Sequence, residues 1–263
     1  MMNDRPSASE AGWANCRVLV TGANGFIGQW LVRALSERGA VVSALMRPTS
    51  DRKESSKSKS SKAGFSFSPV NSTGNSLPKS VRVIRGEITD LDLISRVVSE
   101  EAIDVIYHLA ASNVNTGAKI SPYDLYESNI RGVYTVLEAA RITMRTTRAV
   151  RVVVASSKEA EDCFAAETQR KFHPYMASKA AAEMIVRTYA DTYGVAAATL
   201  RLGNVYGGGD YNWNRLIPGT IQSILRGERI VIGAIGLGIT SLTSRKRVPL
   251  PPQKIAIFMF FKR

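Results

Sequence analysis

Tyr175 and Lys179 stand four residues apart, a spacing that puts a phenol and an ammonium on one face of any helix containing them. A phenol titrates near 10 and is a poor base at neutrality, but a neighbouring cation stabilises the phenolate and lowers that value. The pair therefore predicts a tyrosine able to take a proton from a hydroxyl. Ser156, at the end of an apolar run upstream, adds a second hydroxyl. A Tyr-x-x-x-Lys pair also occurs on plain exposed helical faces, so its meaning depends on the segments around it.

The segment Thr21-Gly22-Ala23-Asn24-Gly25-Phe26-Ile27-Gly28 supplies that context. It lies between an apolar run and an amphipathic stretch, where a phosphate-binding turn must lie. Gly22 and Gly25 let the backbone turn tightly and approach a pyrophosphate, and Gly28 lets helix and strand pack closely. The helix start presents free N–H groups and partial positive charge to the anion. Dinucleotide binding follows. A carboxylate ending the second strand would favour the ribose 2′-hydroxyl of NAD, whereas Arg47 stands there, with Thr49 and Ser50 after it. Arg47 either receives a 2′-phosphate, which would suit NADP, or simply begins the segment that follows.

The elements that position these residues follow from periodicity. Strand-like apolar runs are predicted at Arg17 to Thr21, Val41 to Met46, Val81 to Arg85, Val105 to Leu109, Arg151 to Ala155 and Ala197 to Leu202. Between them, Ile27, Trp30, Leu31, Ala34 and Leu35 form one helical stripe that Gly39 stops. Further helices are predicted at Leu91 to Glu101, Tyr126 to Met144, Tyr175 to Tyr193 and Leu216 to Arg226. Alternation of this kind is the mark of right-handed βαβ units, hence an α/β, Rossmann-like, doubly wound parallel sheet of six strands.

Residues 50–80 interrupt the pattern with Ser, Lys, Gly, Pro and Asn, and read as a mobile insertion. Residues 1–15 read as a flexible N-terminus without the apolar run of a secretory signal, which makes cytoplasm the expected location. The dinucleotide-binding domain is expected over 16–210, followed by a partial substrate lobe and a basic tail over 211–263. Ile230 to Ile239 and Ile255 to Phe261 fall well short of the about 20 residues of a membrane helix. Cys16 and Cys163 show no paired spacing, and no metal-ligand set is present.

The chain of 263 residues carries a net charge of +13. The segment Asp51 to Lys62 contributes +3 and the stretch Arg245 to Arg263 contributes +6, leaving +4 for the remainder. Such runs are usually solvated, and no aromatic interleaving accompanies them, so nucleic acid is not the favoured partner.

Together these motifs resemble the extended short-chain dehydrogenase/reductases, specifically the NAD-dependent epimerase/dehydratase family. The likeness runs over residues 16–233 and rests on the glycine turn, Gly86-Glu87-Ile88-Thr89-Asp90, His108-Leu109-Ala110-Ala111, Asn129 with Gly132, Tyr175-Met176-Ala177-Ser178-Lys179, and Arg201-Leu202-Gly203-Asn204-Val205-Tyr206-Gly207. Within the family, Gly207 to Pro218, with Asn212, Asn214, Arg215 and Leu216, is most similar to the dehydratases that act on CDP-glucose.

The resemblance implies NAD as cofactor, with NADP left open, and a nucleotide-sugar substrate. Tyr175 would take the C4 hydroxyl proton, Lys179 would tune the tyrosine, and Ser156 would hydrogen-bond the same oxygen. The cofactor would touch Gly22, Asn24, Gly25, Phe26, Ile27, Gly28, Arg47, Glu87, Ile88, Leu109, Ala110, Ala111, Asn129, Tyr175 and Lys179. Asn204, Asn214, Arg215 and Leu216 would face the substrate. A homodimer is expected through the two long helices. His108 is expected to be a packed residue near the cofactor, and His173 a loop residue.

Two departures matter. The family reads Ser-Asp-Lys where this chain has Ser156-Ser157-Lys158, so Lys158 is the candidate base and Ser157 a weak acid. A 4-epimerase needs neither and is the alternative activity; a catalytically weak dinucleotide-binding protein is another. The second departure is the ending, from which a truncated C-terminal substrate lobe is expected.

Overall fold

The computed structural model describes residues 11–48, 77–112, 121–146, 149–164, 172–210, 212–213 and 215–228. Thr49, Ser50, nearly all of the Ser- and Lys-rich insertion, Asn214 and the basic stretch from Arg245 lie outside the described residues. The chain divides into two compact units, Met1–Arg201 and Leu202–Arg263.

The first unit is built on strands β1 (Arg17–Thr21), β2 (Val41–Met46), β3 (Arg82–Arg85), β4 (Val105–His108), β5 (Arg151–Ser157) and β6 (Ala197–Leu202) in the order β3-β2-β1-β4-β5-β6. The registers given for β1–β2, β1–β4, β2–β3 and β4–β5 are all parallel. Parallel strands covered on both faces need apolar residues in succession, and β1 buries Val18, Leu19, Val20 and Thr21 completely.

Strand alternation divides those residues between two cores. Val18 and Val20 pack with Val32 and Leu35 of α1 (Phe26–Glu37). Leu19, on the other face, packs with Ile94, Val97 and Val98 of α2 (Leu91–Glu100) and with Val133 and Leu137 of α4 (Gly132–Thr146). The order reverses direction on either side of β1, so β1 and β4 bound the switch point where open α/β sheets bind ligands.

Helix boundaries differ from the periodicity in places that have local causes. The helix expected from Tyr126 is three pieces: α3 (Pro122–Tyr126), a π-turn (Glu127–Arg131) and α4. Pro122 sits in the first turn, where its missing N–H has no helical partner to lose, and Ser121 caps it by accepting from the Asp124 N–H. Helix α5 (Pro174–Tyr193) starts one residue early for the same reason and ends at Gly194, whose φ of 69° is left-handed. Residues 11–15 include a 3-10 turn at Ala11–Trp13, with the Trp13 ring tilted at 42° to that of Tyr107, 6.2 Å away. Leu77, inside the expected insertion, packs against the α1-side core.

In the second unit, α6 (Leu216–Leu225) follows a buried Asp210 that accepts from the Asn212 N–H and pairs with Arg215 at 3.2 Å.

Candidate active site

The glycine turn forms as the spacing predicts. Gly25 N–H donates to the Gly22 carbonyl at 2.9 Å, and Gly22 has a φ of 67°. A Cβ on Gly22 would lie 2.8 Å from the Ala110 amide nitrogen, and one on Gly28 would strike the Gly22 carbonyl oxygen and come within 2.8 Å of the Ala23 Cα. The close approach of α1 to β1 and to the residues after β4 thus depends on those two positions. Gly25 caps α1 with no side-chain partner, the first turn carries no acid, and Asn24 and Gly25 are exposed. A helix start left open in this way suits a diphosphate.

Next to the strand ends is a cavity of about 410 Å³ lined by Arg47, Glu87, Ile88, Thr89, Ser112 and Ser128, with Asp124 and Glu127 also contributing. Arg47 follows β2 and Glu87 follows β3, and their side chains lie 3.6 Å apart. Leu109, Ala110 and Ala111 follow β4. The β1–β4 register sets Thr21 beside His108, and Thr21 Oγ1 lies 2.9 Å from His108 Nδ1 while accepting the Ala110 N–H at 3.2 Å. Burial, and secondarily the Lys179 ammonium, hold His108 down to about 3, so it is a neutral, packed residue.

Asn129 lies in the π-turn, a local insertion that recurs at functional positions. Its amide is 1% exposed, accepts from Ser112 N–H at 2.7 Å, and donates to the Ser112 carbonyl and the Ser178 hydroxyl at 2.9 and 3.0 Å. It ties the turn after β4 to α5.

Tyr175 and Lys179 share the face of α5 that meets the end of β5. Lys179 Nζ donates to the Ala155 carbonyl at 2.8 Å and lies 5.9 Å from the Tyr175 ring centroid. Desolvation holds its ammonium down to about 8. Ser156, also buried, donates its hydroxyl proton to Glu183 Oε1 at 2.5 Å. Lys158 is exposed, and Ser157 accepts the Glu159 N–H in capping a 3-10 turn at Lys158–Cys163.

Two residues that the motifs did not single out join this region. Glu183 receives Ser156 and Arg201. Glu159 lies 3.3 Å from His173 Nε2, and the His173 ring stacks on Tyr175 at 6.3 Å and 7°. His173 is not a loop residue: it caps α5, its Nδ1 accepting the Met176 N–H. The eight-residue interval from Tyr175 to Glu183 was the available signal for Glu183; nothing local marked Glu159. Of the expected substrate residues, Asn204, Arg215 and Leu216 are exposed and belong to the second unit. Among the described residues, no group of three or more His, Cys, Asp or Glu side chains could hold a metal, and no helix is long and apolar enough to cross a membrane.

A model of the NAD dependent epimerase/dehydratase family matches residues 18–242. The chain belongs to that family. It is 26% identical over 250 residues to a CDP-glucose 4,6-dehydratase of Salmonella typhimurium, covering 84% of this chain and 60% of the relative. It is 30% identical over 232 residues to a dTDP-glucose 4,6-dehydratase of Mycolicibacterium smegmatis, covering 85% and 63%. A trifunctional UDP-glucose 4,6-dehydratase of Arabidopsis thaliana is 29% identical over 234 residues, 85% of this chain and 32% of the relative. The chain therefore spans about a third to three-fifths of these relatives.

A crystal structure of a UDP-galactose 4-epimerase matches with a TM-score of 0.56 and 26% identity, covering 80% of this chain and 63% of the other. The fold is shared with a UDP-glucose 4-epimerase of Thermotoga maritima, with a TM-score of 0.61, 24% identity and coverage of 82% and 66%.

Proposed function

We propose that the chain is an NAD-dependent nucleotide-sugar 4,6-dehydratase whose substrate is CDP-glucose or a close analogue. The observation that carries this reading is the buried Lys179 ammonium 5.9 Å from the Tyr175 ring, bonded near the C-terminal end of β5, the end of the sheet at which the glycine turn leaves β1. When bound, NAD supplies an acceptor for hydride from C4 and its donor to C6. The residues present fit that cofactor: the uncapped start of α1 would hold the diphosphate, and the cavity with Glu87 and Ile88 would hold the adenosine end. The carboxylate of Glu87, beside Arg47, opposes the added charge of a 2′-phosphate, which supports NAD over NADP.

Tyr175 Oη takes the C4 hydroxyl proton, and Lys179 stabilises the phenolate. Ser156 donates its hydroxyl proton to Glu183, and it bonds the C4 oxygen by turning that proton toward the substrate. Glu159 and His173, stacked against Tyr175, are a carboxylate–imidazole pair suited to the elimination. The pair takes the proton from C5 and passes it to the departing C6 hydroxyl, which leaves as water; the proton that returns to C5 at the end is made up by the one Tyr175 took from the C4 hydroxyl, so the sum is the loss of one water. The pair thereby fills the places first assigned to Lys158 and Ser157.

CDP-glucose as substrate is supported by the likeness of Gly207 to Pro218 and by the Salmonella relative. Incubation with CDP-glucose and NAD is expected to give a 4-keto-6-deoxy product, detected as the chromophore that such sugars form in alkali. Bound cofactor without product overturns the dehydratase reading and favours a catalytically weak dinucleotide-binding protein.

A second reading, a nucleotide-sugar 4-epimerase, draws on Ser157 standing where a carboxylic acid is expected and on the likeness to UDP-galactose 4-epimerase. It predicts inversion at C4 with no loss of water. We also propose a homodimer through α4 and α5, whose Tyr134, Ile142 and Met184 are exposed; sedimentation at the mass of a monomer would contradict it.

A further inference from the structure

Tyr175, Lys179 and Glu183 recur at intervals of four, so they form one row along α5. The last two members of the row each bond one of two consecutive residues at the end of β5. Lys179 donates to the Ala155 carbonyl at 2.8 Å, and Glu183 accepts from the Ser156 hydroxyl at 2.5 Å. Arg201 of β6 closes on the same carboxylate, its Nε at 2.9 and 3.1 Å and its Nη2 at 2.7 Å. The Glu183 side chain is only 9% exposed, and a carboxylate so enclosed is tolerated because both its oxygens are engaged. Arg201 is itself seated, over the Phe164 ring at 5.7 Å and 3.7 Å from Glu161.

We propose that Glu183 is a positioning residue for the Tyr175–Lys179 pair, locking α5 to β5 through Ser156 and to β6 through Arg201. The inference rests on the reading of Tyr175 as the proton acceptor. Strand β5 is already fixed by its ladder with β4, so a second fastening one turn beyond Lys179 sets how far α5 can slide or roll along it. That setting determines how deep the ammonium lies and how near it comes to the phenol. Bidentate grip by a planar guanidinium gives the fastening its direction as well as its strength.

The sign of one measurement separates positioning from field. As a charge alone, the Glu183 carboxylate raises the pKa of a phenol on its own face, so deleting only the charge would lower the Tyr175 midpoint. Losing the fastening lets the ammonium withdraw, which raises it.

The experiment is an ultraviolet titration of the whole chain, read as the difference between each protein and its Tyr175→Phe counterpart. In the wild type the Tyr175 phenol is expected to titrate below the usual value of about 10. Glu183→Ala is expected to raise that midpoint by about one pH unit, a tenfold loss of phenolate at fixed pH. Glu183→Gln, which keeps a hydrogen bond to Ser156, is expected to leave it in place or lower it. If Glu183→Ala does not fold, Ser156→Ala removes the β5 end of the fastening, keeps the pair with Arg201, and is expected to raise the midpoint by a smaller amount. A low wild-type midpoint that Glu183→Ala or Ser156→Ala fails to raise overturns the positioning role alone. An unshifted Tyr175 in the wild type overturns both the proton-acceptor reading and this inference.

Discussion

The Lys179 ammonium is bonded to the Ala155 carbonyl at 2.8 Å while facing the Tyr175 ring from 5.9 Å. One side chain thus anchors a helix to a strand and lends charge to a phenol. Burial that holds it near 8 is unfavourable for the folded state, because the unfolded chain protonates the same amine up to 10.5. Stability should therefore rise with pH between about 8 and 10.5, by no more than roughly 3 kcal/mol from this group.

Lys179→Met removes the buried charge and leaves the Ala155 carbonyl without its donor, a loss of about 1 kcal/mol. The variant should gain about 1–2 kcal/mol of stability at pH 7 and lose the alkaline rise. Denaturant melts at pH 7 and pH 10 measure both, and a variant less stable than wild type at pH 7 would contradict the burial argument.

His108 works in the opposite part of the pH range. Its folded-state value is held down to about 3 by burial and by Lys179, against 6.5 when unfolded. The unfolded chain takes up the proton first, so stability is complete above 6.5 and falls as pH drops toward 3, by up to about 1.4 kcal/mol per pH unit. His108→Gln should flatten that acid limb in thermal melts; an equally steep limb in the variant would assign the acid sensitivity elsewhere.

Two glycine substitutions should differ sharply. At Gly28 a methyl meets the Gly22 carbonyl and lies 2.8 Å from the Ala23 Cα, so Gly28→Ala must push α1 off the turn. A loss of about 3 kcal/mol or more is expected, together with loss of NAD binding by calorimetry. Gly194 has a left-handed φ of 69° but open space around it, so Gly194→Ala should cost about 1 kcal/mol and leave NAD binding intact.

Asn129 should be intolerant of even an isosteric change. Asn129→Asp keeps the acceptor for Ser112 N–H but replaces two donors with an oxygen facing the Ser112 carbonyl and the Ser178 hydroxyl. A loss of about 2–4 kcal/mol in urea unfolding is expected. Near-neutral behaviour would mean that the π-turn holds without its amide.

What the sequence disclosed, and what it hid, follow from range. The glycine turn and the Tyr175–Lys179 pair are legible because each is confined to one turn of chain and each type is chemically scarce. The strands were found because parallel strands need unbroken apolar runs, although β5 extends two residues past its apolar part to carry Ser156 and Ser157. Glu183 was hidden because its meeting with Arg201 joins α5 to β6, and a lone Glu on a helix reads as solvated surface. His173 looked like a loop residue because Pro174 follows it, yet a proline in the first turn leaves the preceding residue free to cap. The π-turn at Glu127–Arg131 has no compositional mark at all.

The central claim, that this site moves a sugar's C4 hydride and then removes water, is tested most directly with CDP-glucose deuterated at C4. After incubation with NAD and the whole chain, the dehydratase account predicts a 4-keto-6-deoxy product with the deuterium at C6, and no such product from Tyr175→Phe. Deuterium still at C4, whether in untouched substrate or in an epimerised sugar, would contradict it.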